Sequence, residues 1–386
     1  MKENAYDEDR LQTQVKHKLL DRYLSAAVPI IGSWAAEICY VDCLAGPWNE
    51  TSSDLSDTSF SVALNVLRKT RNTLLQRGKS PSMRCIFNEW EDVPFEKLSA
   101  FCRTVADIEV DPRNWDFERH VKDVVKLATN RTKSFPFFFI DPTGWELASV
   151  PLIKPILQIS PGEVLINLMT SWIRRFLSDE KKDFVRLLGE DAKRIAQLSG
   201  DEQEEELVRC YSEAVRKAGN FPYVCTMPIL KSKQESFHFH MVYATRHPTG
   251  VKEFKKAEGD VVPFMHEVRA EARHQREFQA TGQYSFLEPL DTYSDRRYAR
   301  YHRRNLEQAS QAALELLSSS EVVQFDDLWA KWMQFACVKD DELQSWMRDR
   351  EKRGLLKIDN LSGRAKKLSF GNGITLTSAG APISHD

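Results

Sequence analysis

The chain has 386 residues, a formal net charge of −2, 42% hydrophobic and 28% charged residues. This is an ordinary soluble composition, long enough for one large domain and a smaller one. It excludes a globally basic nucleic-acid binder, so any such contact must come from local basic clusters. The N-terminus MKENAYDEDR is too polar for a signal peptide, and no apolar run approaches the ~20 residues of a membrane span. Seven scattered cysteines, at 39, 43, 85, 102, 210, 225 and 337, include no CxxC pair. They point to reduced thiols in a cytoplasmic protein rather than to a disulfide framework or a zinc site.

The first predicted element is a helix over about 12–27, with Val15, Leu19, Leu20, Tyr23 and Leu24 at helical spacing. A strand follows at about 37–42, then a polar loop at 46–58 and an amphipathic helix at 60–77. The run MRCIFN at 83–88 reads as a second strand ending in Glu89, a helix as about 94–105, and DIEV at 107–110 as a third strand. A helix at 117–130, the apolar strand ending at Asp141, a helix at 150–158 and the strand EVLINLM at 163–169 continue the alternation. Regular alternation of strand and helix predicts a doubly wound, Rossmann-like parallel sheet.

Residues 173–217 break that rhythm and read as a charged helical insertion, its acidic run DEQEEEL a solvated face. PYVCTMPIL and SFHFHMVYATR are separated by only a few polar residues, too few for a parallel crossover, so they form an antiparallel hairpin. A parallel sheet closed by a late antiparallel hairpin is the layout of class I methyltransferases. The expected organisation is an α/β domain over 1–250, a charged and partly helical linker over 251–305, and a winged-helix-like domain over 306–386. The last rests on three helical patterns, the third ending near Gly354, followed by strand-like runs at LLKID and KKLSF.

Two strands in this plan end in aspartate, YVDCLAGPW at Asp42 and SFPFFFIDPTGW at Asp141. In an open parallel sheet, ligands bind beyond the carboxyl ends of the strands. In the methyltransferase layout, Asp42 and Gly46 form the cofactor turn, and Glu89 accepts hydrogen bonds from the ribose hydroxyls. Trp48 stands where a GxG loop has its second glycine. Asp116 takes the position of an adenine contact, with a helix N-cap as its other reading. Asp141 and Pro142 would accept hydrogen bonds from a target amino group, and Trp145 would stack on the substrate base. Lys16, beside His17 on the first helix, can reach the same cleft. Arg174, Arg175 and the cluster Arg296, Arg297, Arg300, Arg303 and Arg304, with Tyr298 and Tyr301 interleaved, are phosphate-contact positions. His238 and His240 alternate on one strand face, as metal ligands do, but no third ligand is visible, and a structural role is the simpler reading.

VKHKLLDRYL, YVDCLAGPW, DTSFSVALNVL, FFFIDPTGW, EVLINLM followed by WIRRF, and HMVYATRHPTG resemble, in that order, the three-Cys-motif partner proteins of bacteria (TcmP). The resemblance covers roughly residues 11–250 and extends more loosely to the C-terminal end. It implies a neighbouring partner protein with three clustered cysteines. It also implies distant kinship to ribosomal RNA adenine methyltransferases, with Lys16, Asp42, Glu89, Asp141 and Pro142 at matching positions. The resulting expectation is an S-adenosylmethionine-dependent methyltransferase acting on an amino group of an RNA or DNA base. Two other readings stay open: a non-catalytic nucleic-acid- or protein-binding module on the same fold, and a metal-dependent nuclease using Asp42, Glu89, Asp116 and Asp141.

Overall fold

The structure is a computed structural model that describes residues 3–46, 55, 57–177, 184–232, 236–282, 296–360 and 368–378. The chain divides into two compact units, Met1–Ser294 and Asp295–Asp386.

The first unit opens with α1 (Glu3–Ile31), longer than the apolar periodicity alone predicts. Val15, Leu19, Leu20, Tyr23, Leu24, Ala27 and Val28 form its buried stripe. Then follow β1 (Glu37–Asp42), α2 (Ser59–Gln76), β2 (Ser82–Asn88), α3 (Asp92–Thr104), β3 (Glu109–Arg113), α4 (Phe117–Ala128) and β4 (Ser134–Ile140). A 3-10 turn at Glu146–Ala148 leads to α5 (Val150–Leu157) and β5 (Glu163–Leu168). Four helices come next: α6 (Thr170–Phe176), α7 (Val185–Leu188), α8 (Asp191–Gln197) and α9 (Gly200–Gly219). The unit closes with β6 (Tyr223–Leu230), β7 (Phe237–Thr245) and α10 (Pro248–Thr281).

The seven strands make one Rossmann-like sheet in the order β3-β2-β1-β4-β5-β7-β6. The pairs among β1 to β5 are all parallel, and β7 runs antiparallel to both β5 and β6. Every residue of β1, β4 and β5 is buried. Helices cover both faces of these strands, which explains why they read as unbroken apolar runs rather than alternating ones. On one face α1 packs against α2 and α10; on the other, α5 packs against α4 and α9. The chain winds outward from β1 to β3, then returns to place β4 on the opposite side of β1. The strand order therefore reverses between β1 and β4, where the crevice of an open α/β sheet forms.

Two expectations are corrected here. The span 173–217 is helical, as expected, but its acidic run is not simply a solvated face. Leu207, Tyr211 and Val215 of α9 are buried in the main core, and the Tyr211 hydroxyl donates to the Ala148 carbonyl at 2.6 Å. Glu204, inside the acidic run, is only 1% exposed and pairs with Arg174 at 2.7 Å. The span 251–281, expected as part of a charged, partly helical linker, is helical throughout and is the body of α10, packed into the first unit rather than linking. Val251, Phe254, Ala257, Val261, Met265 and Val268 are buried along it. Charged neighbours hide this apolar stripe, and a buried ion pair, Lys255 with Glu258, lies within it.

The second unit starts earlier than the apolar pattern suggests, because α11 is one continuous helix, Arg296–Ser319, with Tyr301 and Asn305 buried. It continues through β8 (Val322–Gln324), α12 (Phe325–Trp332), α13 (Asp340–Lys352), β9 (Leu356–Asp359) and β10 (Thr375–Ser378). The three strands pair antiparallel in the order β8-β10-β9. Strand β9 is the LLKID run. Its partner is Thr375–Ser378, not KKLSF: of the latter, 366–367 lie outside the described residues and 368–370 are not strand. Phe325, Leu328, Trp332, Leu343, Met347 and Leu376 form its core.

Candidate active site

Sheet register brings the expected carboxylates to one edge. Asp42, the last residue of β1, lies opposite Phe139 of β4, so Asp141 emerges just beyond it on the neighbouring strand. Ile140 of β4 lies opposite Ile166 of β5, which sets Asn167 beside Asp141. Lys16 reaches this edge from α1, and its ammonium is paired with Asp141 Oδ2. The Asn167 Nδ2 donates to Asp141 Oδ1 at 2.7 Å. Both carboxylate oxygens of Asp141 are thus engaged from elements far apart in sequence, while the side chain stays 17% exposed. Asn167 Oδ1 is buried without a partner.

Asp42 is fully buried. Ser59 Oγ donates to its Oδ2 at 2.6 Å, and the Leu44 N–H and Tyr40 hydroxyl are more distant donors at 3.4 Å. Burial outweighs these donors and pushes its carboxyl up to about 7. His17 is held down to about 4, first by burial and then by the charge of Lys16, so its imidazole is neutral at physiological pH. A carboxyl that titrates near neutrality, a neutral imidazole and an ion pair sharing one edge form a site poised to change protonation when a charged ligand enters.

Glu89 follows β2 and is buried. Its Oε1 accepts the Glu91 N–H at 2.7 Å, and burial raises its pKa above the usual carboxylate value. The neighbouring Asn88 ties the loops together, donating from Nδ2 to the carbonyls of Cys43 and Trp115, each at 3.1 Å, while its Oδ1 is buried and unpartnered. The turn after β1 is fastened by Cys43 N–H to Phe139 and Ala45 N–H to Asn88. Gly46 is half-buried at its end; Pro47 and Trp48 lie outside the described residues.

Other expected residues take different places. Trp145 is 4% exposed and packs tilted against Phe184 in the core, ring centroids 4.8 Å apart, so it is no platform for a base. The signal that misleads is its position near Asp141: the 3-10 turn at Glu146–Ala148 carries the ring inward. Pro142 is buried directly after Asp141. Asp116 is the N-cap of α4, accepting from Glu118 N–H at 3.1 Å and pairing with Arg119. Arg174 is spent on structure, since its guanidinium meets Glu204, Gln203 and the Gly200 carbonyl. Arg175 is exposed. Arg296, Arg297, Arg300, Arg303 and Arg304 all lie on α11 in the second unit, where Tyr301 is buried rather than presented to a ligand. His240 is buried and its Nδ1 lies 3.1 Å from Thr170 Oγ1; His238 Nδ1 lies 3.3 Å from Ser171 Oγ. Asp42, Glu89, Asp116 and Asp141 do not gather as a metal cleft: among the described residues, no three His, Cys, Asp or Glu side chains are placed to hold an ion.

Sequence reasoning missed Asn167 and Ser59. Asn167 carried a readable signal, a lone amide in the otherwise apolar strand EVLINLM. Ser59 did not, because its role depends on α2 beginning against the end of β1.

No family model and no curated protein matches this chain. Among solved structures it is similar to protein LPL1258 of Legionella pneumophila strain Philadelphia 1, of the family DUF519. Identity is 12% and the TM-score 0.38, over 66% of this chain and 92% of that one. At that level the strand order given above, not the likeness, carries the description of the fold. Among the described residues, no helix is long and apolar enough to cross a membrane.

Proposed function

We propose that this chain is a class I methyltransferase-like protein of the three-Cys-motif partner type. In this reading it transfers a methyl group from S-adenosylmethionine to an amino group of a nucleic-acid base, in the cytoplasm and beside a cysteine-rich partner protein. The single observation that carries the reading is the convergence of Lys16, Asp42 and Asp141 at the edge where the strand order reverses, with Glu89 at the end of the adjacent strand. The late antiparallel β7 is the second support, and the three-helix and three-strand order of the second unit supports a winged helix there.

The residues present fit the cofactor. A sulfonium or ammonium group would find a buried carboxyl at Asp42, whose pKa is raised first by burial and further by the charge of Asp141. Glu89 has a second carboxylate oxygen to offer a ribose, and Asn88 Oδ1 is an orphaned acceptor at the same strand end. When bound, the cofactor supplies an electrophilic methyl group. The chain supplies position. Asp141 accepts an N–H of the target amine, so that the nitrogen lone pair stays free for in-line attack. A carboxylate has about four acceptor sites, so Lys16 and Asn167 leave room for that bond. Asn167 fixes the plane of the carboxylate, and Lys16 offsets its charge and holds it before substrate arrives.

The second reading, a binding module without catalysis, is favoured by one observation: Asp141 is already engaged on both oxygens. The two are separated by incubating the full chain with labelled S-adenosylmethionine and total RNA or DNA from cells lacking the protein. Transfer of label that disappears in Asp141→Ala supports the enzyme. Retained nucleic-acid binding with no transfer by the wild type supports the module.

A further inference from the structure

The sheet edge is divided by charge. On the β1–β2 side stand the carboxylates Asp42 and Glu89. On the β5–β7 side, three elements converge. Strand β7 is antiparallel to β5 with Leu168 opposite His240, so His238 lies just past the end of β5. Ser171, in the first turn of α6, meets His238 at 3.3 Å, and Arg175 follows one turn later, exposed. Lys231 directly follows β6, whose Leu230 pairs with Phe237, and its N–H closes the hairpin on Ser236 at 2.8 Å. Lys16 approaches from α1, over the ring of Phe239 at 5.8 Å.

We propose that Arg175, Lys231, His238 and Ser171 form a phosphate subsite that holds the nucleotide whose base is presented to Asp141. The choice of a nucleotide as ligand rests on the transferase reading; the subsite itself rests on the convergence of cations. Of the other cations nearby, Lys16 and Arg174 are committed to Asp141 and Glu204, and Arg269 and Arg276 donate to the carbonyls of Lys231 and Ser232. Arg175 and Lys231 therefore carry the attraction, while His238 and Ser171 supply hydrogen bonds. Burial first, then the charges of Lys231, Lys16 and Arg175, hold the His238 imidazole down to about 4. A phosphate dianion or diester placed among them reverses that field and raises the pKa of the ring. The division also suits both ligands at once. The acidic half faces a cationic cofactor, and the basic half faces an anionic substrate.

The test follows His238 by NMR in the full chain, its ring signals assigned with His238→Gln. Adenosine 5′-monophosphate and a short single-stranded oligonucleotide are titrated separately into the wild type and into the double variant R175A/K231A. A His238 shift and a raised pKa with either ligand, lost in the double variant, support the subsite, and the ratio of affinities tells a mononucleotide from a polymer. For the oligonucleotide, the double variant loses roughly tenfold or more in affinity at low salt, and the slope of log K against log salt falls by about 1.4, at ~0.7 per cation removed. His238 signals unmoved by both ligands, or a shift that survives the double variant, overturn the subsite. S-adenosylhomocysteine is titrated independently: its failure to bind contradicts the transferase reading and leaves the phosphate result standing.

Discussion

At the scale of single residues, the site is a set of groups whose charge is set by burial. Asp42 gives the sharpest consequence. Its folded pKa, about 7, lies above the ~3.9 of an unfolded aspartate. Between these values the folded chain keeps a proton that the unfolded chain has lost, so stability falls as pH rises from about 4 to about 7 and is flat above. Asp42→Asn removes this dependence. Urea denaturation at pH 5 and pH 8 is expected to show the wild type losing ground to the variant at the higher pH, by at most about 2.7 kcal/mol, since about two pKa steps at 1.36 kcal/mol each lie between pH 5 and the folded pKa. An equal gap at both pH values contradicts the assignment. Asp141 is tested by chemistry instead. Asp141→Ala should lower methyl transfer by ~100-fold, because a preorganised contact at a reacting centre is worth ~3 kcal/mol. Cofactor affinity should be unchanged, because the proposed role puts Asp141 on the substrate side; an equal loss of both marks Asp141 as a structural residue.

At the scale of elements, the motif YATRHPTG is explained by architecture rather than chemistry. The Arg246 guanidinium donates to the carbonyls of Leu157, Ile159 and Gly219 at 2.9, 2.8 and 2.6 Å, closing the ends of α5 and α9. It also lies 4.1 Å from the ring of Phe221. His247 caps α10 by accepting the Thr249 N–H, and Pro248 opens the helix where no N–H is required. At Gly250, an added Cβ would meet Tyr243, Thr245 and Glu163 at under 3.0 Å. Arg246→Ala leaves several carbonyls without their donor and is expected to cost about 3 kcal/mol in chemical denaturation; a change below about 0.5 kcal/mol contradicts this role. The strands that sit under both helix layers were legible from sequence because full burial makes them continuously apolar. Asp42 and Asp141 were legible as strand ends for the same reason. Helix α10 was not legible, since Lys255, Glu258 and their neighbours dilute its apolar stripe. Nor was the inward turn of Trp145, which is decided by packing against Phe184 and not by any local pattern.

At the scale of the molecule, the chain is two units with separate cores. Truncation after Ser294 is therefore expected to leave the first unit folded, with a single cooperative thermal transition and unchanged cofactor binding. The arginines of α11 are lost with the second unit. If they contact phosphate, the truncated chain has a shallower salt dependence of nucleic-acid binding; an unchanged slope assigns the second unit to a protein partner or to structure alone. The central claim concerns the first unit, and calorimetric titration of the full chain with S-adenosylhomocysteine tests it most directly. The account predicts binding in the micromolar range, weakened by about 1.5–3 kcal/mol in Glu89→Ala, the range for a charged hydrogen-bond partner. No heat of binding to a folded wild-type chain, or an affinity untouched by Glu89→Ala, would contradict it.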